Sequence, residues 1–457
     1  MDQTKNAVKK YLSSAPPARV IVISFAIVIL IGAVLLSLPI SSKTHTVTPF
    51  INAFFTSVSA TCVTGLIIYD TFTHFNLFGQ CVIILLIQIG GLGLVTLTTF
   101  FNLVIGKKLG LRSMRLASES ININSVGGIS KMIRMAVIIT FSIEAIGASL
   151  LSLVFVPKLG FLKGWFTSIF LAISAFCNAG FDILGHEGMF SSLTHYTGSF
   201  IVMFTISSLI IIGGLGFIVW EDLIRYRKRK RLLLHTRVVL WVTGILILTG
   251  TVIYMTYEWN NPLTMGELSP MRKLGACIFQ SVTARTAGFN SIDIEATRDV
   301  TKIFTSLLMF IGAAPGSTGG GIKVTTFAVI IMTVISVVSG KEDTQILKRK
   351  VDSKTVYRSI AICMLAITAI FVGINVISAT VPESVGGVSI LFECVSAFAT
   401  VGLSSGVTAI VGVPGKLALA SLMFIGRVGP VSLAISLAIS QAKSKNKVIP
   451  EGKIVVG

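Results

Sequence analysis

Four short segments of small residues, each ending in glycine, recur at nearly even intervals: Thr61-Cys-Val-Thr-Gly65, Phe176-Cys-Asn-Ala-Gly180, Ala284-Arg-Thr-Ala-Gly288 and Ala399-Thr-Val-Gly402. Their glycines stand 115, 108 and 114 residues apart, so the 457 residues divide into four similar quarters. A unit repeated four times in one chain can close a ring. Glycine lets a backbone turn its carbonyls toward the axis of that ring, with no side chain in the way.

The medium is lipid. Hydrophobic residues make up 53% of the chain and charged residues 12%, and the apolar stretches reach the roughly 20 residues that a crossing helix needs. Eight such segments are expected, near 19–38, 77–105, 132–156, 198–220, 237–257, 302–338, 357–380 and 415–441, the sixth internally broken. The first follows a polar, basic start and has no small-residue cleavage site, so it reads as a retained helix. Of 38 Lys and Arg, 27 lie in the two termini and the segments after every second crossing, 107–134, 225–237 and 341–358. The excess of Lys and Arg marks that side as cytoplasmic and puts both termini there, in a multi-pass membrane protein. At the end of a crossing helix, Arg225-Tyr-Arg-Lys-Arg-Lys-Arg231 reads as a topology and lipid-contact signal, not as a nucleic-acid patch.

Ahead of each glycine segment lies a shorter, half-apolar stretch: Pro49–Ala60, Gly164–Ala175, Met271–Val282 and Gly387–Ala397. About twelve residues make roughly 18 Å of helix, too short to span the hydrocarbon. One copy alone would read as a surface helix. Four in register, each between two crossings, read as re-entrant helices whose partly negative C-terminal ends point inward and favour a cation. A second landmark keeps the same register: Ile89-Gly90, Ile212-Gly213, Ile311-Gly312 and Ile425-Gly426 follow the loop glycines by 25, 33, 24 and 24 residues. The long interval matches an insertion around His186–Tyr196. The expected fold is therefore all-α and polytopic, with eight transmembrane helices, four re-entrant pore helices and one central pore. Its four quarters are 1–120, 121–234, 235–350 and 351–457.

The quarters are not equal. The third carries Gly312-Ala313-Ala314-Pro315-Gly316-Ser317-Thr318-Gly319-Gly320-Gly321, five glycines and a proline in ten residues. Each glycine costs a helix about 1 kcal/mol and a proline about 3, so this crossing is expected as two half-helices joined by a loop below the ring. A nucleotide-binding loop fits poorly, because isoleucine follows Gly321 where lysine is required. Charges inside crossings are costly and usually functional. Arg427, just past the fourth Ile-Gly pair, is expected to hold carbonyls of that loop as a latch, the alternative being a carboxylate partner such as Glu144. Lys323 fits either a barrier to cations or a snorkel to the cytoplasm. Arg285 and Glu393 are read as braces behind the path.

The four single-glycine loops, the break at 312–321 and Arg427 together resemble the Trk/Ktr/HKT superfamily of potassium transporters, in its bacterial KtrB-type membrane subunits, over essentially the whole chain. The resemblance implies potassium uptake through a selectivity filter of Val63, Thr64 and Gly65, Asn178, Ala179 and Gly180, Thr286, Ala287 and Gly288, and Thr400, Val401 and Gly402. It implies a gate built from residues 312–321 with Lys323 and Arg427. Homodimers, sodium stimulation and a separate cytoplasmic KtrA-like RCK ring that binds ATP or ADP are also implied. Potassium is the cargo, and no bound organic cofactor is expected.

Rival classes fare worse. A secondary transporter would show two pseudo-symmetric halves with paired breaks. An enzyme would need a constellation, yet the five histidines lie in loops or at helix ends and the six cysteines are scattered without a CxxC pair.

Overall fold

The computed structural model describes residues 17–105, 114, 116–117, 129–430 and 433. The basic stretches expected near the N-terminus, over much of 107–128 and beyond 433 lie outside the described residues.

Fifteen longer helices carry the described chain. They are α1 (Pro17–Ser37), α2 (Phe50–Thr61), α3 (Leu77–Leu92), α4 (Leu94–Val104), α5 (Ile129–Leu159), α6 (Phe161–Phe176), α7 (Phe200–Leu215), α8 (Phe217–Arg229), α9 (Leu234–Glu258), α10 (Pro270–Thr283), α11 (Asp299–Phe310), α12 (Val324–Val338), α13 (Ser353–Ser378), α14 (Gly387–Ala399) and α15 (Val413–Val428). One two-stranded hairpin, β1 (Gln345–Ile346) with β2 (Arg349–Lys350), interrupts the series between α12 and α13.

Helices α1, α5, α9 and α13 are long and apolar enough to cross a bilayer. Their outer faces are apolar as well: Leu30 and Ile31 on α1, Leu153 on α5, Trp241 and Leu248 on α9, and Phe371 on α13 are all exposed. Large apolar side chains facing outward around a bundle suit a hydrocarbon solvent. The chain has a helical, polytopic membrane fold.

The expectation of a single internal break is corrected. The segment expected at 77–105 is two helices, α3 and α4, meeting at 85°, and that expected at 198–220 is α7 and α8, meeting at 94°. Both bends fall on a glycine with positive φ, Gly93 (80°) and Gly216 (86°). Gly429, with φ 93°, ends α15 at the corresponding place. Each stands three residues past an inner glycine, Gly90, Gly213 or Gly426, and Pro315 occupies that position after Gly312. With each bent pair counted as one span, six helical segments pass as crossings. The other two expected crossings are divided or short: α11 and α12 have 12 and 15 residues, and α15 has 16.

The short helices lie inside the bundle. Helix α2 packs on α1 and α3, α6 on α5 and α7, α10 on α9 and α7, and α14 on α13, α15 and α11. The inner glycines have a sharper purpose than thinning a helix. A Cβ on Gly90, Gly213 or Gly426 would overlap the carbonyl of Thr61, Phe176 or Phe398, at or beside the C-terminal end of the neighbouring short helix. Gly312 instead abuts Gly320 of the broken segment.

A candidate cation pathway beneath four glycine loops

Helices α2, α6, α10 and α14 end at Thr61, Phe176, Thr283 and Ala399, so four helix C-termini, each partly negative, deliver the chain into the glycine loops. There the backbone adopts the same unusual course four times. Val63, Asn178, Thr286 and Thr400 have φ of 58°, 60°, 68° and 52°, and the glycine two residues on has φ of 96°, 70°, 76° and 93°. Three of those non-glycine residues are β-branched, for which left-handed backbone is costly, of order 1–3 kcal/mol each. Left-handed backbone recurs at all four equivalent positions, three of them strained, so surrounding structure imposes it.

The loops close on one another in chain order. A Cβ on Gly65 would strike the carbonyl of Ala179, one on Gly180 that of Ala287, one on Gly288 that of Val401, and one on Gly402 that of Thr64. Each glycine thus leans on the residue that precedes the next glycine, and the fourth returns to the first. Amide groups of these loops turn back toward the short helices: Thr64 N donates to Ser59 O (2.8 Å), Ala179 N to Ser174 O (2.7 Å), Ala287 N to Thr283 O (3.0 Å) and Val401 N to Ser396 O (2.9 Å). Gly65 N and Gly402 N donate to Ser59 Oγ and Ser396 Oγ, both at 3.1 Å. All twelve residues of the four triplets are buried. Among the described residues no group donates a hydrogen bond to their twelve carbonyls. Carbonyls of buried residues are nearly always paired, so this unpaired set is free to accept from water or to coordinate a cation.

Residues 312–321 pass directly against this ring. Gly319 and Gly320 sit so close to Thr286 Oγ1 and Thr400 Oγ1 that neither could carry a Cβ without displacing them. Thr318 N donates to Gly213 O (3.3 Å), Ala314 N to Gly214 O (3.0 Å), and Phe217 N reaches Gly316 O (2.9 Å). The neck is closed by Gly312 N to Ile322 O (2.8 Å). Lys323 Nζ donates to Gly319 O at 2.7 Å and Gly320 O at 3.4 Å, which ties it to its own segment.

Arg427 spans two quarters. Nη1 donates to Thr318 O, and Nη2 donates to Gly90 O and, at 3.3 Å, to Gly91 O. Glu144 meets other groups: Gln88 Nε2 at 3.2 Å and Cys177 Sγ at 3.9 Å. The Gly90 and Gly91 contacts were not foreseen, because they join residues more than 330 positions apart. Arg285 is buried and stands beside Ile210, Gly214, Ile247 and Ala313, and its Nε has no hydrogen-bond partner among the described residues. Its main-chain carbonyl, not its guanidinium, is what joins the network, accepting from Asn178 Nδ2.

Glu393 is fully buried in α14 and receives Ser404 Oγ (2.8 Å), Ser405 N (3.0 Å), Thr408 N (3.0 Å) and Thr408 Oγ1. It thereby pins the chain that leaves Gly402. Glu393→Gln puts amide hydrogens against these donors and is expected to cost about 3 kcal/mol of stability. A lowered thermal unfolding midpoint in detergent checks it, and a parental midpoint would refute the brace. Outside the ring, Asp182 follows Gly180 by two residues. Burial pushes its carboxyl up to about 6, opposed by the Leu184 N–H and reinforced by neighbouring Asp70.

A family profile described as TrkH, cation transport protein, matches residues 4–447. The chain belongs to this TrkH family. Its relatives within reach include the Ktr system potassium uptake protein B of Bacillus subtilis (strain 168), 41% identical, with all of both chains covered. The potassium/sodium uptake protein NtpJ of Enterococcus hirae is 38% identical over 99% of each chain. Among solved structures, the potassium transporter TrkH from Vibrio parahaemolyticus superposes with a TM-score of 0.68 over 91% of this chain and 84% of that one, at 17% identity. At that identity the likeness carries the fold of a TrkH family member. The relatives bear transport names, and the expectation of a transporter and not an enzyme holds.

Proposed function

We propose that this TrkH family member takes up potassium across the plasma membrane through the ring of Gly65, Gly180, Gly288 and Gly402. The observation that carries the reading is the set of twelve carbonyls, on buried residues around four mutually abutting glycines, that receive no hydrogen bond from the described residues. Such oxygens replace the hydration shell of a dehydrated monovalent cation. Four helix–loop–helix quarters around one pore then act as a selectivity filter, with one glycine per loop giving few stacked sites and modest rejection of sodium. The potassium and sodium named for the relatives agree with that cargo.

Residues 312–321 form the gate in this reading, with Lys323 and Arg427 holding it shut. A homodimer and a separate nucleotide-binding RCK-type ring that moves the gate belong to this proposal, and the Ktr system named for two relatives suits a multi-component assembly. The basic segments 225–237 and 341–358, the latter carrying the β-hairpin, would offer the docking face. Sodium stimulation belongs to the same proposal.

Expression in a potassium-uptake-deficient host, with and without such a regulator, tests it. Growth at low external potassium and measured potassium uptake are expected with the chain. A chain that reaches the membrane yet supports neither would overturn the assignment.

A further inference from the structure

The four left-handed positions of the ring share a backbone shape but not a side-chain type. Three hold β-branched residues, Val63, Thr286 and Thr400, and the fourth holds Asn178. Asparagine tolerates left-handed backbone better than they do, because its short polar side chain bonds locally. Here that side chain reaches further. Its Nδ2 lies 3.4 Å from the carbonyl of Arg285 and 3.4 Å from Thr286 Oγ1, both in the next glycine loop. Its Oδ1 lies 3.2 Å from Thr318 Oγ1, in the segment that crosses beneath the ring. The carbonyl of Arg285 can only accept, which places the amide nitrogen on that side and leaves Oδ1 for the threonine hydroxyl. Thr318 Oγ1 also lies 3.0 Å from Phe176 O, so one hydroxyl proton is shared between the helix end and the asparagine.

This group is sealed: Asn178, Thr286 and Thr318 are each fully buried. Gly213 and Gly214 make the room for it, since a Cβ on Gly213 would come within 2.9 Å of Oδ1. Gly319 and Gly320 meet the ring sterically, at Thr286 and Thr400, and among the described residues the Thr318–Asn178 contact is the one side-chain hydrogen bond between residues 318–320 and the four triplets. In the reading of residues 312–321 as the gate, opening carries Thr318 away and Asn178 Oδ1 loses its donor. A buried acceptor left without a partner is costly, so the amide must turn, and its bonds to the third loop turn with it.

Building on the reading of the ring as the filter, we propose that the Asn178 side chain is a specificity-determining strut: it ties the second and third filter loops to Thr318 of the gate, so that ion choice depends on the position of the gate. Selection and gating are then coupled through one amide.

The test compares potassium and sodium uptake by the full-length chain in a potassium-uptake-deficient host. Thr318→Val keeps the side-chain shape and removes the donor. Asn178→Gly removes the amide while leaving a residue that adopts positive φ freely. Each is expected to lower the potassium-to-sodium ratio about fivefold, the size of effect that loss of one buried hydrogen bond supports. Thr318→Ser restores the hydroxyl and keeps the parental ratio. The double variant falls no further than Asn178→Gly alone, because both changes break one unit. A Thr318→Val chain with altered rate but parental ratio, or a double variant whose defect is the product of the single ones, would overturn the strut. Gly402→Ser in the same assay separates the two ideas. If it shifts the ratio while Thr318→Val does not, the strut alone falls; if neither shifts it, the filter reading falls as well.

Discussion

Gly402→Ser is expected to lower the potassium-to-sodium uptake ratio at least about tenfold, or to stop uptake altogether. The glycine has φ 93°, where an L side chain is strained, and a Cβ there would overlap the carbonyl of Thr64 and approach the Cα of Gly65. Left-handed strain alone is worth about 1–2 kcal/mol, and the overlap adds a displacement of the first loop by the fourth. The carbonyls of Thr64 and Val401 then stand at different distances from the axis. A tenfold change in ion preference needs only about 1.4 kcal/mol of differential binding, well within that distortion. Gly244→Ala is the matched control. It lies in α9 with nothing within 4 Å of its added Cβ, so uptake and ratio should stay parental. A folded Gly402→Ser protein with the parental ratio would remove the ring from the selectivity argument.

That prediction rests on a feature already legible in the chain, since the loop glycines announce themselves by spacing. Other features were hidden for physical reasons. Hydropathy sees composition along a helix but not its direction, so the bends at Gly93 and Gly216 pass unnoticed when apolar residues continue on both sides. A local signal existed in the repeated Gly90-Gly-Leu-Gly93 and Gly213-Gly-Leu-Gly216, which place a second glycine where positive φ is needed. Left-handed backbone at Val63, Thr286 and Thr400 had no such signal, because β-branched residues disfavour it and surrounding structure imposes it. The broken segment at 312–321 could be read from its glycines and proline, but its hydrogen bonds to Gly213 and Gly214 could not. Those depend on which quarters become neighbours when the ring closes. The same limit applies to half of Arg427: its charge in an apolar helix and its level flagged the broken loop as its partner, while the Gly90 and Gly91 carbonyls were set by tertiary closure.

Arg427→Ala is expected to raise basal potassium flux several-fold in the absence of any regulator. The guanidinium carries five donors in a rigid fork, and here the fork is divided between Thr318 O on one side and Gly90 O and Gly91 O on the other. It therefore fastens the segment beneath the ring to the helix of the first quarter. Each charge-assisted bond to a buried carbonyl contributes about 1.5–3 kcal/mol. Loss of one such bond is enough to shift a closed-to-open equilibrium by a factor of ten or more. Removing the arginine also removes a positive charge beside the path, which further eases cation entry. Arg427→Lys separates these two effects. It keeps the charge, but a single ammonium cannot span both sets of carbonyls in the same planar fork, so its flux should fall between parent and alanine. If lysine matched the parent, charge and not bridging would be what closes the path. Unchanged flux in a folded Arg427→Ala protein would exclude the latch, because the segment would then be held by the Thr318 N and Ala314 N bonds to Gly213 O and Gly214 O and by Lys323 on Gly319 O and Gly320 O, and those would be sufficient.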